Sequence, residues 1–553
     1  MKKITKVLSL LLSIVCAFSV GVGCSSNIDP NKTQLYIGNF DAGVGTQWLY
    51  EVVERFKEEY KDHHFEEGKT GVQVFVDPQA NYTGGGLVDG FNKNKNYVMF
   101  AEQVNYNDFV QKGLLLDISD LVKNENYTGQ GTLESKLLNE QKKYLKIDDS
   151  YYALPHYQIF STIVYDIDLF EDELLYISAN PNNGNSGIVA SETEAKGAGP
   201  DGVSGNEDDG FPATFDELKK LIKYMSVNGI TPFIWPGKHV GYLNKVATAI
   251  AASYNGKIGI DVQATFDSQG QEVEVITGFD GQGNPLITKE VITKENGYLA
   301  KQLTGMYYGM DMVEYILSDN AFSTSSARNG TDSQTDAQTE YIYSRYDKEN
   351  YDRQPIAFMC EGGYWEIESE RSMANFKVDY PDSLTGGRHF GSFPLPTATG
   401  QTASLNDTAS AFAFINANIA DNPVKVNVAK EFLKFCYSNA ELQNFTVRTG
   451  VTRGIKYNLD NANYNKLTDY QKQIWDTRLK GDWATVYDNN NIFLSHYAEF
   501  SMTANTEYWT TNISGSTHTS LYSAIYDKGK TAKEYFSGRW ISPQVWASSY
   551  NNI

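Results

Sequence analysis

Basic side chains are scarce: 47 lysines and arginines stand against 68 aspartates and glutamates, a formal net charge of −21. A chain that binds nucleic acid gathers cations to meet phosphates, so that class of partner is excluded. Cysteine is scarcer, four in 553 residues. Cys16 and Cys24 fall in the N-terminal leader, which leaves Cys360 and Cys436 and no disulfide framework. Both sit in apolar contexts without a neighbouring histidine, and read as small buried hydrophobes. The seven histidines are scattered, and no Gly-x-Ser-x-Gly elbow, His-Glu-x-x-His helix or phosphate loop occurs. There is no internal repeat. The leader's apolar run, Val7 to Val22, is about 16 residues, short of the roughly 20 that span a bilayer as a helix.

Lys2, Lys3 and Lys6 open the chain, and Gly21-Val22-Gly23-Cys24-Ser25-Ser26 closes the run, the plan of a signal peptide. This end resembles a bacterial lipobox, in which the cysteine is acylated and becomes the first mature residue; Gly21 stands where leucine is usual. The resemblance implies a signal peptide over 1–23, an acyl (palmitate-type) anchor on Cys24, a polar tether over 24–33, and an exported chain held at the outer face of the cytoplasmic membrane. Two or three acyl chains would make that anchor stable, since one binds only marginally. The competing reading is an ordinary secretory signal with a chance cysteine.

What is plentiful is aromatic: 37 Tyr, 28 Phe and 8 Trp, 13% of the chain. Tyrosine and tryptophan offer an apolar face beside a polar edge, which suits sugars and also protein surfaces. The length exceeds what one hydrophobic core supports, so at least two lobes are expected.

Gln34 to Gly38 reads as a strand and Asn39 to Gly45 as a loop. Leu49, Val52, Val53, Phe56 and Tyr60 then recur at helical spacing. Val72–Val76 and Tyr97–Phe100 read as further strands, and strands alternating with helices argue for a parallel sheet. Ligands of such sheets sit beyond the carboxyl ends of the strands, which singles out Asp41, Asp77 and Glu102.

Gly113-Leu-Leu-Leu-Asp117, Tyr151-Tyr-Ala-Leu-Pro155-His-Tyr157 and Ile163-Val-Tyr165-Asp166 follow in order. After them come Pro212-Ala-Thr214-Phe-Asp-Glu217-Leu218, Ile356 to Trp365, Phe393-Pro-Leu-Pro396, Ala411 to Ile415 and Val428 to Phe435. No single motif is specific, but their order, over about 34 to 540, resembles the bacterial extracellular solute-binding proteins of carbohydrate ABC importers, the maltose-binding-protein family. The resemblance implies an α/β, two-lobed periplasmic-binding-protein-like fold (type II) with three chain crossings and a ligand cleft between lobes. Lobe 1 would comprise 33–157 and 408–450, lobe 2 158–393 and 451–553, and 394–407 would be a hinge crossing. It also implies a carbohydrate ligand, ABC permease subunits as partners and a membrane reached through the lipid anchor. A monomer is expected.

The resemblance marks Trp365, after Gly362-Gly363, as a sugar-stacking tryptophan, with Trp509 a second platform and Trp235 a third; Tyr364 stands beside the first. A tryptophan in such a place is otherwise core. Asp41 matches a carboxylate that accepts from sugar hydroxyls, or else caps the helix behind it. After the third strand Ala101 replaces the family's aromatic, leaving Glu102 and Gln103 as polar candidates and putting maltose specificity in doubt. His156 and Tyr157 lie at the first crossing, where His156 reads as a polar hinge residue.

Residues 177–210, 264–292 and 323–340 read as insertions, the second a hairpin around Asp280-Gly281. In the first, Asp201, Asn206, Asp208 and Asp209 gather oxygens among glycine turns. That composition suits either a structural calcium ion, which takes six to eight oxygens, or a solvated acidic turn; no other cofactor is indicated. The function expected is capture of a sugar for an importer, and not catalysis. Alternatives are a surface glycan-docking protein without transport, or a glycosidase pairing Glu361 or Glu366 with Asp41.

Overall fold

The computed structural model describes residues 28–41, 43–78, 95–102, 106–345, 354–381, 388–398, 403–407, 411–481, 483–485, 510–511 and 519–550. Cys24, Gln103 and Trp509 lie outside them. Among the described residues no helix is long and apolar enough to cross a membrane.

Two sheets organise the chain. β1 (Thr33–Asn39) is followed by α1 (Gln47–Glu59), β2 (Val72–Asp77), β3 (Val98–Ala101) and β4 (Ala153–Pro155). The second series is β5 (Ser161–Asp166), α2 (Phe215–Val227), β6 (Thr231–Ile234), α3 (Asn244–Thr265), β7 (Ile356–Gly362), α4 (Trp365–Glu368) and β8 (Phe390–Ser392). The chain then returns with β9 (Phe412–Ile415), α5 (Pro423–Cys436) and α6 (Asn439–Thr449). The first sheet runs β2-β1-β3-β9-β4 and the second β8-β5-β7-β6. β1 pairs in parallel with β2 and β3, whereas β9 runs antiparallel to β3 and β4. Mixed sheets of this kind, with helices packed on them, form the two α/β lobes.

The local causes are readable. α1 buries Leu49, Val52, Val53 and Phe56 on one face, because positions three and four apart share a side of a helix. α2 starts at Thr214, whose hydroxyl accepts from Glu217 N–H while the Glu217 carboxylate accepts from Thr214 N–H. β5 and β7 are buried along their whole length, as strands covered on both faces must be. Asp166 ends β5 fully buried. Its carboxylate caps the next helix at Leu169 N–H and pairs with Arg388, which explains an acid at that position.

The chain passes between the sheets at residues 156–160 and again between Ser392 and Phe412. A third connector, 450–454, leaves α6 through Gly450 in the left-handed region. These connectors are tied to one another: Gln158 N–H donates to Thr452 O, Thr452 Oγ1 donates to Gln158 Oε1, and Ile159 N–H donates to Asp407 Oδ1.

The insertion near 264–292 is a hairpin of Glu272–Phe279 and Pro285–Val291, its turn closed by Asp280, which accepts from Gln282 and Asn284 N–H. In the acidic insertion the side chains bond within the loop. Asp201 accepts from Val203 N–H and Asn206 Nδ2, Asp208 from Asp201 N–H, and Asp209 from Gly205 N–H. The loop's own donors thus take up both oxygens of Asp201 but only one each of Asp208 and Asp209, whose Oδ1 atoms are buried without a donor among the described residues. Among the described residues no group of three or more His, Cys, Asp or Glu side chains is placed to hold a metal ion.

Candidate functional site

A crevice of about 290 Å³ opens between the lobes. One side is the loop after β1 and the first turn of α1, Asp41 to Trp48, with Arg448 and Thr449 from the end of α6; the other is Ile367, Glu368 and Glu370. The Asp41 loop takes its shape from two glycines with left-handed backbone, Gly43 (φ 59°) and Gly45 (φ 65°), a region L side chains rarely adopt. Asn39 locks the turn by donating to Gly45 O and Thr46 Oγ1. Asp41 does not cap α1 with a backbone bond: its Oδ1 accepts from Thr46 Oγ1 at 2.6 Å, and the other oxygen faces solvent in the crevice.

At the crevice floor the lobes touch. A Cβ on Gly43 would lie 3.5 Å from the Tyr364 ring and 3.9 Å from Glu102 Oε1, ordinary van der Waals contact, so the left-handed backbone and not the ring's approach is what calls for glycine here. Tyr364 Oη is fixed by Tyr242 Oη at 2.9 Å and by Lys245 Nζ at 3.1 Å. Lys245 also bonds Glu361, 3.3 Å away, and Gln338 Nε2 donates to Glu361 and Glu368. Desolvation pushes the Glu102 carboxyl up to about 7, Lys245 opposing. Burial and then the neighbouring Glu361 do the same for Glu368. Arg448 spans the gap, 3.0 Å from Glu51 on α1 and 3.4 Å from Glu370 on the opposite lobe.

Of the residues the sequence singled out, Asp41 lines the crevice, and Glu102 and Tyr364 lie beside Gly43 of its lining. Asp77 ends β2 exposed, accepts from Asn96 Nδ2 at 3.4 Å, and does not line the crevice. His156 and Tyr157 are buried at the crossing. The His156 ring packs against Trp48, Phe100 and Phe445, and its Nδ1 accepts from Arg453 Nη1. Burial and that guanidinium hold its pKa well below the ordinary value.

The tryptophans require a correction. Trp365 is fully buried, packed edge-on against Phe390 at 5.0 Å between ring centres, with Tyr341 and Tyr470 around it. Trp235 is likewise fully buried in the second-lobe core. α4 begins at Trp365 itself, so its first turn directs the indole back into the lobe and leaves Glu368 and Glu370 toward the crevice, with Tyr364 beside Gly43. Sequence reasoning missed Arg448, Glu368 and Glu370. The alternation Glu366-Ile367-Glu368-Ser369-Glu370 was a signal for the acids; Arg448 carried none.

The family described as bacterial extracellular solute-binding protein matches residues 42–443. No curated protein sequence matches significantly. Among solved structures, one titled chitin oligosaccharide binding protein is 12% identical, with 94% of this chain and 100% of that chain covered and a TM-score of 0.53. Another, from work on xylan utilization by the thermophilic bacterium Caldanaerobius polysaccharolyticus, is 14% identical, with 92% and 99% covered and a TM-score of 0.50. At such identities the likeness speaks for the two-lobed fold.

Proposed function

Since the chain belongs to the bacterial extracellular solute-binding protein family, we propose that it captures a sugar or oligosaccharide between its lobes and delivers it to the permease subunits of an ABC importer. The observation that carries this reading is the crevice lined from both lobes, with hydrogen-bonding side chains on each wall and connectors able to act as a hinge. Periplasmic binding proteins close their lobes about a ligand by hinge motion. The lobes are taken as 33–157 with 408–450 and 158–393 with 451–553, joined through 394–407. Export with acylation of Cys24 would keep the protein at the outer face of the membrane beside its permease, as a monomer.

Binding and not catalysis fits the carboxylates. Glu361 is fully buried and spent on Lys245 and Gln338, and Glu366 accepts from Thr468 Oγ1, so neither is presented to Asp41 as a glycosidase pair requires. Calorimetry against a glycan panel, with sugar uptake in a strain lacking the gene, tests the proposal. Saturable binding together with lost uptake is expected. Binding with unimpaired uptake would make it a surface glycan-docking protein, and turnover of a bound glycan would make it an enzyme.

A further inference from the structure

Two acidic walls face each other across the crevice. Asp41 stands on one and Glu368 and Glu370 on the other. Arg448 is the cation among the lining residues, and its guanidinium is already shared between Glu51 and Glu370. Among the described residues, Asp41 accepts only through Oδ1 and Glu368 only through Oε2, so each keeps one oxygen without a donor. Next to Glu368 the fully buried Gln338 spends its amide N–H groups on Glu361 and Glu368, and its Oε1 has no donor at all. The carboxylate oxygens left open on both walls of the crevice are acceptors, beside the exposed amide of Gln47. An unpaired acceptor in a closed site is costly, so the ligand has to bring donors.

We infer, resting on the sugar reading above, that the ligand is an amino sugar, a pyranose carrying a free ammonium group that bridges the Asp41 wall and the Glu368–Glu370 wall. An ammonium supplies three donors and no acceptor. Its bonds to carboxylates are charge-assisted and stronger than those of a neutral hydroxyl. It also removes the repulsion between like charges that opposes closure, which a neutral sugar leaves in place. Burial and then the neighbouring Glu361 raise Glu368 to about 7 against the pull of Gln338 and Lys245, and an ammonium beside it would favour the charged form.

The test is calorimetry on the full chain with four probes: the β-1,4-linked glucosamine disaccharide with free amines, its N-acetylated form, cellobiose and spermidine. The free-amine disaccharide should bind about tenfold or more tightly than the acetylated one, the advantage of charge-assisted over neutral bonds. That advantage should shrink as salt rises from about 0.05 to 0.5 M, because the screening length shortens severalfold. Glu368→Gln and Asp41→Asn should each reduce the preference for the amine, circular dichroism showing the fold retained. Cellobiose or the acetylated sugar binding as tightly as the amine overturns the charge inference and leaves the sugar reading standing. Spermidine preferred over every sugar, or no sugar bound, overturns the sugar reading and the inference with it.

Discussion

Trp365→Ala is the substitution that separates a core residue from a ligand platform. A buried indole removes about 150–250 Å² from water, worth about 4–6 kcal/mol at 25 cal per Å² as an upper bound. Measured losses on truncating such rings run about 3–5 kcal/mol, the cavity included. Trp365 has no exposed surface and meets Phe390 on β8, Tyr341, whose hydroxyl donates to Ala357 O on β7, and Tyr470, whose hydroxyl bonds Thr162 on β5. For a lobe of this size each kcal/mol moves the midpoint by about 2–4 °C, so the variant should melt about 6–20 °C lower. Calorimetric melts and ligand titrations on the same preparation are the assay. Trp365→Phe, which keeps a ring and deletes an indole N–H that has no partner, should cost markedly less. An unchanged melt for Trp365→Ala with affinity lost would refute the assignment to the core.

Three further outcomes are expected. Glu102 is held at about 7 in the folded chain against 4.5, so its contribution to stability is complete below about pH 4.5 and is lost as pH rises through 7; Glu102→Gln should therefore melt above the wild type near pH 8 and level with it near pH 4. A difference of the opposite sign at pH 8 would show that the carboxylate is stabilised by Lys245 more than burial penalises it. Arg453 is buried at the third connector over the Phe445 ring, 3.8 Å away, and bonds both Nδ1 and the carbonyl of His156; Arg453→Ala should cost about 3 kcal/mol or more in denaturant midpoints, and a loss under about 1 would mean the connectors are held otherwise. Because among the described residues no three carboxylates are placed to hold a metal ion, melts with calcium and with a chelator should coincide, and a calcium-dependent rise would make Asp208 and Asp209, whose Oδ1 atoms have no donor, metal ligands.

Elements whose cause is local were legible along the chain. The helix of α1 follows from the spacing of Leu49, Val52, Val53 and Phe56, the start of α2 from Thr214 and Glu217, and the 272–291 hairpin from its Asp-Gly turn. Asp41 and Glu102 were legible too, because the carboxyl ends of adjacent parallel strands must lie on one edge of a sheet. What the chain order could not tell is which way an indole points. Trp365 and Tyr364 are neighbours, yet the first turn of α4 sends one into the core and the other against Gly43 of the opposite lobe. Arg448 meets Glu370, 78 positions earlier, only because α6 ends at the mouth of the crevice. Composition and periodicity set the lobes and their strands, since these depend on near neighbours and on burial. The site depends on contacts between segments hundreds of residues apart, and tertiary structure alone decides those.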